Sequence, residues 1–377
     1  MDSFPFCPNP HCIWHSLSPP SQWLRRKGFY FTKAFGRVKR FQCKACGTTF
    51  SSQTYSLCYY LKKRLCLTDI AQRLSAGESL RAMGRNLGVA PKTIQNRLER
   101  LSRQAMAFHA EALRHYRGRD ELCIDGMVSF DISQYFVSEI PIAITAHSQF
   151  ILDFSHASRK RSGTMTESQK QKAARLYQEV LLERGAVSRS FKDMVCSALR
   201  TQPPSRFHPL ILITDEKPEY QRVLHRWKEY RAQTEDTRII HHTVWSKLPR
   251  TVNNPLFASN YIERELRKDM AAHHRETVCF NRNVANGMLR LGLYFMQHNY
   301  SKPFRIGAEQ DKAAGTHAEA AGIGSEIVAR YVEYLTGGIR WFLSNSSLSE
   351  TMKKTWMKNW KTPGKQGPER VAKYVLA

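Results

Sequence analysis

Acidic residues are scarce. The 377-residue chain carries 32 Asp and Glu against 58 Lys and Arg, a formal net charge of +26. A field of that sign disfavours basic partners and favours a polyanion through counterion release, which makes nucleic acid the first candidate. Long apolar runs are also missing: none approaches the roughly 20 residues that a membrane-spanning helix requires, so a membrane partner is not expected. The opening stretch MDSFPFCPNP lacks the basic and then apolar segments of a secretory leader, and the chain is expected to stay inside the cell. No internal repeat is evident.

What is present argues for several folded units. A hydrophobic content of 42% with 19 Phe, 15 Tyr and 7 Trp fills a sizeable core, which excludes wholesale disorder. Single cores stop growing at roughly 250 to 300 residues, so two or three domains are expected. In a reducing compartment the nine cysteines do not make a disulfide framework; clustered ones suggest metal and scattered ones core.

Two cysteine pairs are clustered. Cys7 and Cys12 enclose four residues, Cys43 and Cys46 enclose two, and 30 residues separate the pairs. Zinc takes four soft ligands in a tetrahedron, and two turn-borne pairs supply them while stapling a segment too small to bury a core alone. The first pair is wide, so His11 or His15 remains an alternative ligand. Residues 28–51, GFYFTKAFGRVKRFQCKACGTTFS, alternate aromatic, basic and apolar positions and read as short strands. Residues 1–64 hold eleven Lys and Arg against one acid, Asp2. Cys58, Cys66, Cys123, Cys196 and Cys279 have no partner spacing and are expected in the core.

From Leu67 the apolar positions Ile70, Leu74, Leu80, Met83, Leu87, Val89, Ile94, Leu98 and Leu101 mostly recur at three- or four-residue intervals. The spacing predicts three short helices, with Gly77 between the first two, a tight Leu87-Gly88-Val89 turn, and a third helix starting near Ala90-Pro91. The third helix carries Lys92, Thr93, Gln95, Asn96, Arg97 and Arg100, residue types that contact phosphate or read base edges in a major groove. It is the candidate recognition helix; a small bundle with a solvated basic face is the alternative.

Beyond Arg119 the texture becomes alternating and apolar. ELCIDGMVSFDIS, IPIAITAH and FILDFSHA read as three strands, residues 166–184 as a helix followed by a further helical link, and HPLILITDEKPEY as a strand ending in Asp215 with a helix from Pro218. RIIHHTVWS reads as a fifth strand and NYIERELRKDM as the helix after it. An acid within or ending an apolar strand must be paired, protonated or metal-bound, which singles out Asp125 and Asp215. Glu263 lies on the last helix. Glu265, two residues on, turns to a different face; Glu216 and Asp131 are fallbacks.

The element order and these residues resemble the DDE transposases of bacterial insertion sequences that begin with a zinc ribbon and a helix-turn-helix. The resemblance covers roughly residues 1–300. It rests on RFQCKACGTTF, on GESLRAMGRNLGVAPKTI, on Asp125 in CIDG, Asp215 in ITDE and Glu263 in NYIERELR, with spacings of 90 and 48 positions between the three acids. It implies a multi-domain α/β protein: a zinc ribbon at 1–56, a helix-turn-helix DNA-binding domain at 57–118, a ribonuclease-H-like mixed-sheet catalytic domain at 119–303 and a helical basic extension at 304–377.

The resemblance further implies Mg2+ or Mn2+ at the three acids, with Asp125 bridging two ions and Asp215 and Glu263 each completing one shell. Water first frees a 3′-hydroxyl at the element's end, and that hydroxyl then attacks target DNA. The implied partners are double-stranded DNA and a second copy of the chain, and the implied location is the bacterial cytoplasm, at the nucleoid. The sequence departs from the family in one respect: Met270 stands where a Lys or Arg commonly follows the glutamate by two turns, with Arg267, Lys268 or Arg275 as substitutes. The RETVCFNRN stretch resembles the family's basic exit from that helix. A catalytically silent or domesticated DNA-binding regulator is the alternative function, and a nuclease without strand transfer a third. After Pro303 a small-residue stretch, AAGTHAEAAGIGS, precedes an expected helix at 325–343. The basic tail with Trp356 and Trp360 is expected to clamp DNA, meet a second protomer or stay solvated.

Overall fold

The computed structural model describes residues 4–274, 279–305 and 315–376, which form a mixed α/β structure with two sheets. The first sheet is an antiparallel meander of β1 (Leu24–Thr32), β2 (Gly36–Cys43) and β3 (Thr49–Ser51). Its core is aromatic: Trp23, Phe41, Phe50 and Tyr55 pack around the buried cysteines. Phe342, almost three hundred residues later, belongs to the same cluster.

Helices α1 (Leu67–Ser75), α2 (Leu80–Asn86) and α3 (Pro91–Ala112) follow. Leu67, Ile70, Ala71 and Leu74 make the buried stripe of α1 at helical spacing. Ser79 caps α2 by accepting from the Ala82 amide, and Pro91 opens α3 where its missing N–H costs nothing. The three helices and both glycine turns stand where the periodicity put them, but α3 is not short. It runs 22 residues, and from Leu101 to Ala110 every residue is buried. A helix wrapped on all sides has no polar face to mark its far end, so the amphipathic pattern stops before the helix does.

The second sheet contains β4 (Leu122–Asp131), β5 (Ser133–Thr145), β6 (Ile151–Phe154), β7 (Ala157–Lys160), β8 (Leu210–Asp215) and β9 (Ile239–Val244). The spatial order is β6-β5-β4-β8-β9, with β7 also on β5. β5 runs antiparallel to β4, β6 and β7, whereas β4, β8 and β9 are mutually parallel. The stretch read as one strand, FILDFSHA, is two. Pro141 in β5 has no N–H to donate, and the partner strand breaks opposite it, with β6 pairing to residues from Ile142 and β7 to residues up to Glu139.

Helices α4 (Glu167–Glu179) and α5 (Ala186–Thr201) link β7 to β8, α6 (Pro218–Arg226) follows β8, and α7 (Phe257–Asp269) follows β9. Helix α8 (Val284–Ser301) lies along α3, and α9 (Ser325–Thr336) and α10 (Glu350–Trp356) close the chain. One apolar core runs without a break from Leu57 to Val375, so the helix-turn-helix segment, the large sheet and the C-terminal segment share it. Among the described residues no helix is long and apolar enough to cross a membrane.

The C-terminal segment corrects the expectation of a solvated tail. Trp356 and Trp360 are buried, their indole N–H groups donating to the Val375 carbonyl and the Thr355 hydroxyl. Buried Arg340 donates to the carbonyls of Thr54 and Tyr374 and stacks over Phe342, which pins the C-terminal segment to the segment that follows the first sheet. The expected helix at 325–343 ends at Thr336, where the Gly337-Gly338 pair accepts the chain reversal.

Gly77 is a close joint between the α1–α2 turn and the end of α7. It adopts φ +82°, and a Cβ there would stand 1.9 Å from the Asp269 carbonyl oxygen at the end of α7. Gly88 has φ +61° and open space around it. Gly88→Ala should cost about 1–2 kcal/mol from the left-handed backbone alone. Gly77→Ala should lose about 1–3 kcal/mol more from the clash. Urea unfolding of both variants checks this, and equal losses contradict the joint.

Candidate functional site

Four thiols meet in the first sheet's loops. Cys7, Cys12, Cys43 and Cys46 offer sulfur atoms that all lie within 4.8 Å of one another, a group that can hold a metal ion such as zinc. The Sγ separations of 3.6 Å for Cys7 and Cys46 and 3.7 Å for Cys12 and Cys43 are far beyond a bond of about 2.05 Å. They match the spacing of roughly 3.8 Å between corners of a tetrahedron with zinc–sulfur distances of about 2.3 Å. Burial pushes the Cys7 thiol up. Burial also opposes ionisation of Cys46, yet hydrogen bonds from Thr48 and Asn9 outweigh it and bring that thiol down to about 6. The histidine alternatives are not used: buried His15 is engaged by the Cys7 carbonyl and the Ser344 hydroxyl, and His11 is exposed outside the cluster. Of the unpaired cysteines, Cys123 is buried as expected, whereas Cys66 is exposed and Cys58, Cys196 and Cys279 are intermediate.

The recognition-helix candidates divide in two. Lys92 is exposed, and Thr93 and Asn96 are partly so. Gln95, Arg97 and Arg100 are buried and spent within the chain. Gln95 donates to Asn286, Arg97 to the Lys63 carbonyl, and Arg100 to the Leu57 carbonyl while lying 4.4 Å over the Tyr374 ring. Desolvation lowers both guanidinium pKa values, a cost offset by these carbonyls and rings. This face of α3 is packed against the protein, and the Asn96 side-chain oxygen accepts from Arg97 and Arg100, so of the six residues Lys92 and Thr93 stay the most open.

The three acids come from neighbouring elements. β4 and β8 pair in parallel with Leu122 opposite Leu212 and Cys123 opposite Ile213. Carried two residues further, that register sets Asp125 level with Asp215. Helix α7 packs across β4 and β5 through Ala258, Ile262 and Leu266, which brings the largely buried Glu263 to the same place. Burial is the first cause that pushes Asp125 up to about 7, and the charges of Glu263 and then Asp215 add to it. Asp215 is raised too, by burial, against hydrogen bonding from the Lys217 amide. Arg267 donates to Glu263 at 3.2 Å.

The other acids stay apart. Asp131 is six residues along β4 from Asp125, about 20 Å at strand rise. It is buried and engages His156 and Ser158 at 2.8 Å each. Glu216 is exposed and accepts from the Ser246 amide. Glu265 pairs with Lys302 at 2.7 Å. Met270 is buried, Lys268 pairs with Glu265, and Arg282 is exposed. Arg275 lies outside the described residues.

Sequence reading missed a fourth carboxylate. Glu139 in β5 is buried, and Lys217 and Arg159 both pair with it. A Cβ on Gly126 would stand 2.8 Å from the Glu139 side chain and 3.0 Å from the Tyr220 hydroxyl, so the glycine clears room for both beside Asp125. The signal was available: Glu139 is an acid in an apolar strand, the rule that selected Asp125, but the strand was taken to begin at Ile140.

Compared with known proteins, the sequence matches no family model and no curated protein.

The crowding of these acids bears on stability. The folded-state pKa of Asp125 stands above its ordinary value of 3.8, so its contribution is whole below that value and is lost as pH rises through about 7. The loss is about 1.4 kcal/mol for each pH unit crossed between the two values. Asp125→Asn removes the charge. In metal-free buffer the variant should melt above wild type at pH 8 and level with it at pH 4. The same difference at both values contradicts the repulsion.

Proposed function

We propose that this protein is a DNA transposase of the three-carboxylate type, with a ribonuclease-H-like catalytic unit behind a zinc ribbon and a helix-turn-helix. The observation that carries the reading is geometric: the β4–β8 register sets buried Asp125 level with Asp215, and the charges of Glu263 and Asp215 both bear on Asp125. The sheet order supports it, with β4 central and Asp125 on it, β8 beside it ending in Asp215, and α7 crossing it with Glu263. The excess of 58 basic over 32 acidic residues supports a DNA partner.

The donor set is all hard oxygen, which suits Mg2+ or Mn2+, and Asp125, Asp215 and Glu263 are the residues to hold such ions. When bound, divalent ions neutralise charge on the entering and leaving oxygens of an in-line phosphoryl transfer. The protein's own part is to keep these carboxylates together against their repulsion. Lys217 and Arg159 neutralise Glu139 behind them, and Arg267 holds the Glu263 side chain. The four thiolates hold structural zinc in this reading. Lys92 and Thr93 are the α3 residues that contact DNA, and a dimer brings two ends together.

The test is cleavage of a labelled DNA carrying the flanking ends of the protein's own gene, with Mg2+ or Mn2+. Wild type should nick at the ends and join them to target DNA, and Asp215→Asn should lose both activities by at least about a thousandfold. Nicking without joined products favours the nuclease reading. Specific binding with no cleavage by either protein overturns the catalytic reading in favour of a regulator.

A further inference from the structure

A cleft of about 690 Å³ opens between the β1–β2 hairpin and residues 59–62, the start of the link to α1. Tyr30, Tyr59 and Tyr60 line it together with Lys33, Arg40 and Lys62, over a floor that includes Phe50. No acidic residue lines it. Tyr60 is 73% exposed and lies 4.1 Å from the Tyr59 ring, which leaves its outer face open. Its φ of +58° is in the left-handed region, which costs a non-glycine residue about 1–2 kcal/mol. The chain therefore holds an aromatic ring in water by a strained backbone, where the ordinary tendencies are to bury the ring and relax the strain.

We propose that this cleft is a stacking pocket for an unpaired base of a DNA strand. In a duplex the base faces are covered by their neighbours and only edges and phosphates are offered. A pocket walled by rings offers the complement of a base face, and stacking of this kind is tolerant of sequence because every base has one. The rim supplies the other half of the recognition: Lys33, Arg40 and Lys62 attract the flanking phosphates, and residues 1–64 contain eleven basic residues against a single acid. Its volume lies within the range of about 300–1,000 Å³ of small-ligand pockets, into which a nucleotide fits. The pocket also lies on the path to the helix-turn-helix, because Arg97 of α3 donates to the Lys63 carbonyl at 2.9 Å, next to Lys62. The inference takes from the proposed function only that the partner is DNA; it is independent of the acids.

The test compares a short labelled oligothymidylate with a labelled duplex of equal length by fluorescence anisotropy at one salt concentration. Tyr60→Asn removes the ring and keeps a residue that tolerates left-handed backbone, and Tyr60→Phe restores the ring. Tyr60→Asn should weaken single-strand binding by about fivefold to a hundredfold, the range for one lost base stack, and Tyr60→Phe should bind as wild type. Duplex affinity should stay unchanged in both. Unaltered single-strand affinity in Tyr60→Asn overturns the pocket, as does an equal loss on single strand and duplex. If wild type binds neither DNA, the DNA-binding reading itself falls.

Discussion

The burial of α3 is the constraint on which the other elements depend. A helix covered on every side from Leu101 to Ala110 must find partners for its polar side chains inside the protein. Ser102 donates to the Leu289 carbonyl, Arg103 to that of Trp356, and Gln104 to those of Tyr334 and Ile339. His109, wholly buried, has only the Leu152 carbonyl at Nε2, so that nitrogen carries the proton and Nδ1 accepts from the Tyr300 hydroxyl. These partners come from α8, α9, α10 and the sheet. The same helix begins right after the Gly88 turn, so the segment proposed to touch DNA and the helix packed against the sheet are one continuous element.

The acids are held at an electrostatic cost. Burial and the charges of Glu263 and Asp215 raise Asp125, burial raises Asp215, and Lys217, Arg159 and Arg267 pair with Glu139 and Glu263. A fold does not gather carboxylates in this way for stability, since partly desolvated like charges oppose folding. Such perturbed acids make this the candidate site on which the proposed function rests. The thiol cluster follows the opposite logic: a small aromatic core closes around four sulfurs at tetrahedral spacing, and a metal there adds stability that the short strands lack.

Much of this was legible in the sequence because it is local. Cysteine spacing, the apolar periodicity of α1 and α2, the glycine turns and acids set in apolar strands are all read over a few residues. The errors are long-range. Gln95, Arg97 and Arg100 have the composition of a DNA-reading surface, yet their partners are Asn286, Lys63, Leu57 and Tyr374, which no local pattern places beside them. The place of the basic tail was left open because Trp356 and Trp360 find their burial against distant elements. Glu139 escaped because the strand was read from Ile140, whereas it begins at Ser133.

The central claim is that Asp125, Asp215 and Glu263 converge to bind divalent cations. Titration of Mn2+ into the zinc-loaded protein, followed by electron paramagnetic resonance, tests it most directly. Wild type should show saturable Mn2+ binding that Asp125→Asn abolishes while zinc content stays constant. No saturable binding in wild type, or binding that Asp125→Asn leaves intact, contradicts the claim.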